Sequence, residues 1–160
     1  MTIVNTAPSL GRRRQLRVLR ALEHAQREVN GDKLGTLATL EESCWYELYP
    51  AGLRMEGIDY ARQYYDHYFA HVRPAFREII DHGIWENEDG VAFDVTATLE
   101  VTPAVLRTYR FLAVVVPGDI GVVGERIWCD EELARFLFGP AFGNFRPIDG
   151  YRSAVDAAER

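Results

Sequence analysis

The chain has 160 residues, 48% of them hydrophobic and 26% charged, with a formal net charge of −6. This length supports one domain whose core can stand without staples, and the composition excludes a disordered chain. The acidic balance does not suit nucleic acid, which asks for a basic face. No apolar run approaches the roughly 18 residues of a membrane helix. Met1–Arg14 holds no apolar h-region, so no secretory signal is expected. Cys44 and Cys129 are too few for a disulfide framework and too far apart for a zinc motif. Reduced thiols in a cytoplasmic protein are expected.

Residues 1–8 read as a flexible arm. Ser9 can cap a helix running to about Val29, ended by Asn30-Gly31. At 100° per residue Val18, Leu22, Ala25 and Val29 share one side, flanked by Leu19 and Ala21, while Arg13, Arg17, Arg20, His24 and Arg27 fall opposite. The arginine stripe reads as a solvated face. A short helix follows over Lys33–Leu40, then a strand over Cys44–Tyr49 stopped by Pro50-Ala51-Gly52. A third helix over about Ile58–Val72 buries Ile58, Ala61, Tyr65, Tyr68, Phe69 and Val72, and Pro74 ends it.

The period then changes to two. Phe76–Trp85 reads as a strand, Asn87–Gly90 as a turn, and Val91–Val101 alternates, with Phe93, Val95, Ala97, Leu99 and Val101 on one face. Val105–Val116 is apolar on both faces, and Val122–Cys129 is the last strand. Asp130-Glu131-Glu132 opens a helix through about Phe138, with Asp130 as its cap. The domain spans 9–139, and 140–160 is a tail without clear period. Helices grouped ahead of an antiparallel run indicate an α+β fold.

Certain motifs accompany this order: Asn30-Gly31-Asp32, Trp45–Pro50, Glu56-Gly57-Ile58 with Tyr64-Tyr65, and Gly124–Asp130 leading to Leu133 and Leu137. Together they resemble the nuclear transport factor 2-like superfamily, which includes SnoaL-like polyketide cyclases, ketosteroid isomerase and limonene-epoxide hydrolase. The resemblance covers about residues 12–139. It implies a cone in which a strongly curved mixed or antiparallel sheet wraps over a long helix, with N-terminal helices and a pocket on the concave face. It also implies cofactor-free acid–base chemistry (cyclisation, dehydration or epoxide opening) on a hydrophobic oxygenated metabolite such as a polyketide.

The family's working residues are carried over only in part. In the ketosteroid-isomerase register the base carboxylate falls on Leu48 and the oxyanion-hole acid on Leu112. The oxyanion tyrosine falls on His24 without a gap, or on Ala25 with a one-residue shift that the helix period favours. Leucine cannot move a proton, so steroid-isomerase chemistry is rejected. The limonene-epoxide hydrolase pattern leaves Arg110 and Tyr46, with Leu48, Leu112 and Ile127 where it has an asparagine and two acids. The cyclases' carboxylate near the end of the last strand corresponds to Glu125 or Asp130.

That register turns Arg110, Leu112 and Val114 inward. With a four-residue turn at 117–120, Arg110 opposes Ile127, and Glu125, Ile127 and Cys129 face in; with an odd turn Arg126, Trp128 and Asp130 do. The even turn is favoured, because it sets Glu125 rather than a second arginine beside Arg110. Arg110, Glu125 and Asp130 are therefore the candidate catalytic residues. Tyr46, Leu48, Tyr65, Tyr68, Phe93, Val95, Ala97, Leu99, Leu112 and Ile127 are the candidate substrate-binding residues. His67 and His71 stand four apart without a third ligand at matching spacing, so no metal and no cofactor is expected. Tyr109, Phe111, Ala113 and Val115 would form an outer apolar face suited to a homodimer. The missing acids keep open a non-catalytic ligand-binding or assembly module.

Overall fold

The computed structural model describes residues 10–152; the expected arm at 1–8, the Ser9 cap and the end of the tail lie outside them. Helix α1 spans Leu10–Asn30 and α2 Lys33–Ala38. Gly31, at φ +78°, turns the chain out of α1, and the Asp32 carboxylate accepts the Gly35 amide at 2.8 Å to start α2. Strands β1 (Leu40–Tyr49) and β2 (Leu53–Glu56) precede α3 (Ile58–His67), which continues through a π turn at Tyr68–Val72 and a tight turn at Arg73–Ala75. Then come β3 (Phe76–Asn87), β4 (Gly90–Thr102), β5 (Val105–Pro117), β6 (Val122–Trp128), α4 (Glu131–Phe138) and β7 (Arg146–Pro147). Among the described residues no helix is long and apolar enough to cross a membrane.

The strands form one sheet in the order β3-β4-β5-β6-β1-β2-β7, with β1 parallel to β6 and every other pairing antiparallel. Register shifts leave Arg77 and His82 as extra residues on β3, Val101 on β4 and Val123 on β6. Such bulges bend a strand and raise its twist, and here they curve the sheet around α3. The space between α3, α4 and the sheet is filled by aromatic rings. Tyr64 stacks on Phe138 at 4.4 Å, and Tyr46 meets Tyr64 and Phe138 edge-on at 5.2 and 5.7 Å. Burial of such rings, each worth roughly 1.5–3 kcal/mol or more, dominates the core.

Three expectations need correction. The first concerns β5. Thr102 pairs with Val105 across the Pro103-Ala104 turn, and that hairpin continued without a bulge would set Ala97 against Arg110 and Val95 against Leu112. The extra residue Val101 shifts the register by one, so Ala97 meets Tyr109 and Val95 meets Phe111. A one-residue shift exchanges the two faces of a strand. Tyr109, Phe111, Ala113 and Val115 therefore point inward, not to a dimer face, while Arg110, Leu112 and Val114 point out.

The second concerns α1. Its buried side centres on Ala21 and His24, both 0% exposed, while Leu19 and Val29 stand 52% and 67% exposed. The arginines beside His24 do not need bulk water: the Arg17 guanidinium donates to the Pro117 carbonyl at 2.7 Å and Arg20 to that of Gly118 at 3.4 Å. Long stems that lay their heads on loop carbonyls can flank a buried stripe. The third concerns the tail and the short strand β2, which has no period of its own to announce it. Ala141 and Phe145 belong to the core, and Arg146–Pro147 pairs with Leu53 and Arg54 of β2.

Candidate functional site

Three elements, α1, α3 and β6, bring polar side chains together. His24 and Glu28, one turn apart on α1, face Tyr65 of α3 and Glu125 of β6. Glu125 and Ile127 of β6 face inward, but by the odd register and not the favoured even one: Trp128 meets Leu112 and Arg126 meets Val114, and the turned-over β5 reverses the facing. Val115 and Ala113 stand opposite Glu125 and Ile127 instead of residues from the Arg110 register. His24 Nε2 lies 3.0 Å from Glu125 Oε1, 3.0 Å from the Tyr65 hydroxyl and 3.9 Å from Glu28 Oε2. The Tyr65 hydroxyl lies 3.3 Å from Glu28 Oε2 and 3.4 Å from Glu125 Oε1. The Glu125 side chain is 8% exposed and that of Glu28 20%, so the cluster reaches the surface at Glu28.

The other ring nitrogen fixes the proton arrangement. Thr39 Oγ1 donates its proton to the Thr36 carbonyl at 2.6 Å, and it lies 2.6 Å from His24 Nδ1. A hydroxyl has one proton, so toward His24 it can only accept, and Nδ1 carries the hydrogen. Nε2 is then the atom that gains or loses a proton in front of Glu125. Burial opposes the imidazolium, but the hydrogen bond and charge of Glu125 and the charge of Glu28 outweigh it, and the His24 pKa is raised. Burial, then the charge of Glu125, pushes the Glu28 carboxyl up to about 7, against the opposing pull of His24 and of hydrogen bonds from Tyr68 and Tyr65.

The surroundings stay uncharged. Burial holds the Tyr46, Tyr64, Tyr65 and Tyr68 phenols well above their usual value, so they act as neutral hydrogen-bonding groups. Tyr46 is the cross-strand neighbour of Glu125, and its buried hydroxyl makes no hydrogen bond, although Tyr65 and Glu125 are its polar neighbours. Cys44, on the same strand face, has its thiol pushed up to about 11 by burial and by Glu125; Cys129 rises to about 12 through burial and Asp130. Neither is a poised nucleophile.

The sequence candidates divide around this cluster. Glu125, Tyr46 and Tyr65 are in it, with Tyr68 at its edge. Leu48, Val95, Ala97, Leu99 and Ile127 are buried on the concave face and Phe93 is half-buried there. Leu112 is on the convex face. Arg110 is also there, 63% exposed, its guanidinium bonded to both Asp94 oxygens at 3.0 and 2.8 Å. Asp130 is exposed and caps α4 through the Leu133 amide at 2.7 Å. It borders a separate apolar cleft of about 260 Å³ that Leu48, Leu53, Cys129 and Ala134 also line. Sequence reasoning misses His24, Glu28 and Thr39. The gapless family register, which sets the oxyanion tyrosine on His24, is the signal that locates the first of them.

No protein-family model matches the chain, and no curated protein does. Solved structures do resemble it. A nuclear transport factor 2-like protein of unknown function from Cytophaga hutchinsonii is 8% identical at a TM-score of 0.58, over 71% of this chain and 99% of its own. A candidate ketosteroid isomerase from Kribbella flavida is 15% identical at 0.58, over 74% of this chain and 80% of its own. A protein with a cystatin-like fold from Silicibacter pomeroyi is 12% identical at 0.54, over 76% and 81%.

Proposed function

The chain has the nuclear transport factor 2-like α+β fold, and on that scaffold we propose a cofactor-free acid–base enzyme acting on a hydrophobic, oxygen-bearing small molecule. The observation that carries this is the contact between His24 Nε2 and Glu125 Oε1, 3.0 Å apart and shielded from water, with the ring locked from behind by Thr39. A carboxylate and an imidazole in that geometry pass one proton between them. Either can take a proton from a carbon acid or water and return it to a leaving oxygen. The neutral Tyr65 hydroxyl, within reach of both carboxylates, is placed to donate to a developing oxyanion. Cyclisation, dehydration and epoxide opening of polyketide-type compounds all use this pair of steps. His24 is the group beside Glu125 where the sequence reading set Arg110, and Asp130 caps α4.

The concave side of the sheet supplies the apolar surface such a substrate needs. Ile79 and Ile84 of β3 pair with Ala97 and Phe93 on that side and stand 53% and 50% exposed, so the sheet is open at this edge. The test is turnover of a panel of aryl and terpenoid epoxides, β-hydroxy ketones and poly-β-keto esters, followed by mass spectrometry. Turnover of at least one class by the wild type and its loss in Glu125→Gln support the proposal. Equal turnover by wild type and a folded Glu125→Gln protein refutes it.

A further inference from the structure

We propose that His24, Glu28 and Glu125 form a binding site for a single divalent cation of the zinc class. A tetrahedral zinc ion sits about 2.0–2.1 Å from nitrogen and oxygen ligands, which sets its ligands roughly 3.3–3.4 Å apart. His24 Nε2 lies 3.0 Å from Glu125 Oε1 and 3.9 Å from Glu28 Oε2, values that bracket that spacing. The ligand atoms of His24, Glu28 and Glu125 all lie within 4.8 Å of one another. Three ligand atoms are thus gathered within reach of one small cation, which leaves a fourth position open.

Three further features fit a cation. Nδ1 of His24 is held by Thr39, which is held by the Thr36 carbonyl, so the Nε2 lone pair is aimed inward by a second layer of contacts. Two buried carboxylates beside one imidazole are costly unless protons or a cation neutralise them, and a 2+ ion cancels both charges. The buried, unpartnered Tyr46 hydroxyl is a neighbour of Glu125 and is available to a water or hydroxide carried by the ion. Glu28, the least buried of the ligands, marks the way in. The cation site stands on this geometry alone. A bound ion would take the place of the protons that the acid–base proposal uses, so zinc would inhibit that reaction.

The test is calorimetric titration of the chelator-treated full chain with Zn²⁺ and Mg²⁺ at neutral pH, with visible absorption of the Co²⁺ form as a second readout. The expected result is one Zn²⁺ per chain, no measurable Mg²⁺ binding, and Co²⁺ bands of a four- or five-coordinate ion. Glu28→Gln and His24→Asn are each expected to weaken Zn²⁺ by at least about 100-fold, and His71→Ala to leave it unchanged. Glu28 lies at the cluster's edge, so its variant reports even if that of His24 does not fold. No Zn²⁺ binding, or binding that both cluster variants retain, overturns the proposal. Turnover plays no part in this titration, so failure of the cation site and failure of the acid–base assignment are read separately.

Discussion

Glu125 is separated from His24 by 101 positions in the chain and by 3.0 Å in space. Helix α1 supplies the ring, β6 the carboxylate, and the short Thr36–Thr39 stretch holds the ring in place. The contact exists only when the whole fold is assembled, and its groups are too polar to be part of an ordinary core.

Glu125→Gln keeps the shape of the side chain and removes its ability to carry a proton. Turnover of a substrate identified in the panel is expected to fall by about 10²–10⁴-fold. Stability is expected to drop by about 1–3 kcal/mol, because a charge-assisted bond becomes a neutral one. Steady-state kinetics and urea unfolding measure the two effects.

Thr39→Ala removes the acceptor behind Nδ1, and Thr39→Ser restores it. The alanine variant is expected to lose about 1–2 kcal/mol in urea unfolding and to shift the pH profile of turnover. The serine variant is expected to recover most of both.

The buried acid and base set the pH dependence of stability in metal-free protein. Glu28 is raised from 4.5 to about 7, so the native state holds its proton where the unfolded chain has lost it. Its stabilising contribution is complete below about pH 4.5 and is lost as pH rises through about 7, at most about 3 kcal/mol in all. His24, raised from 6.5, acts in the same direction: its contribution is present below 6.5 and is lost as pH rises through the higher folded value. Unfolding midpoints are expected to fall between pH 5 and 8, and to fall less steeply in Glu28→Gln, where the His24 contribution remains.

Arg110→Ala is the control. Its guanidinium is exposed on the convex face and bonded to Asp94. No change in turnover and at most a small drop in the unfolding midpoint are expected, because the arginine side of this bidentate pair is open to solvent.

Deleting Val101 tests the origin of the β5 facing. The deletion removes the extra residue while Thr102 still meets Val105 and Glu100 still meets Leu106, so Tyr109 stays opposite Ala97 and Arg110 stays on the convex face. The shortened hairpin is expected to keep its near-UV dichroism and a cooperative thermal transition; loss of both would show that the observed facing of β5 needs the bulge itself. Val101→Ala, which keeps the residue count, is expected to fold.

These variants also show how far the sequence goes. The alternation of Phe93, Val95, Ala97 and Leu99 reveals β4 because one face is buried and the other is not. The third helix, the Asp130 cap and the order of elements are visible for similarly local reasons. The facing of β5 is not, because the bulge at Val101 leaves no mark in a strand that is apolar throughout. His24 is hidden by its neighbours: Arg17, Arg20 and Arg27 make its helix face look solvated, and the loop carbonyls that receive two of them are about a hundred residues away. Glu28 and Thr39 are ordinary surface residue types until the fold buries them. A search for paired ligands at short spacing finds at most the His24–Glu28 pair of α1, and Glu125 stands 101 positions beyond His24.

The most direct test of the central claim is nitrogen NMR of the His24 imidazole in chelator-treated protein. The structure requires the hydrogen on Nδ1 and titration at Nε2, with the titration displaced upward from the ordinary histidine value and returned toward it in Glu125→Gln. A neutral ring with its hydrogen on Nε2, or a titration that Glu125→Gln leaves untouched, would contradict the account.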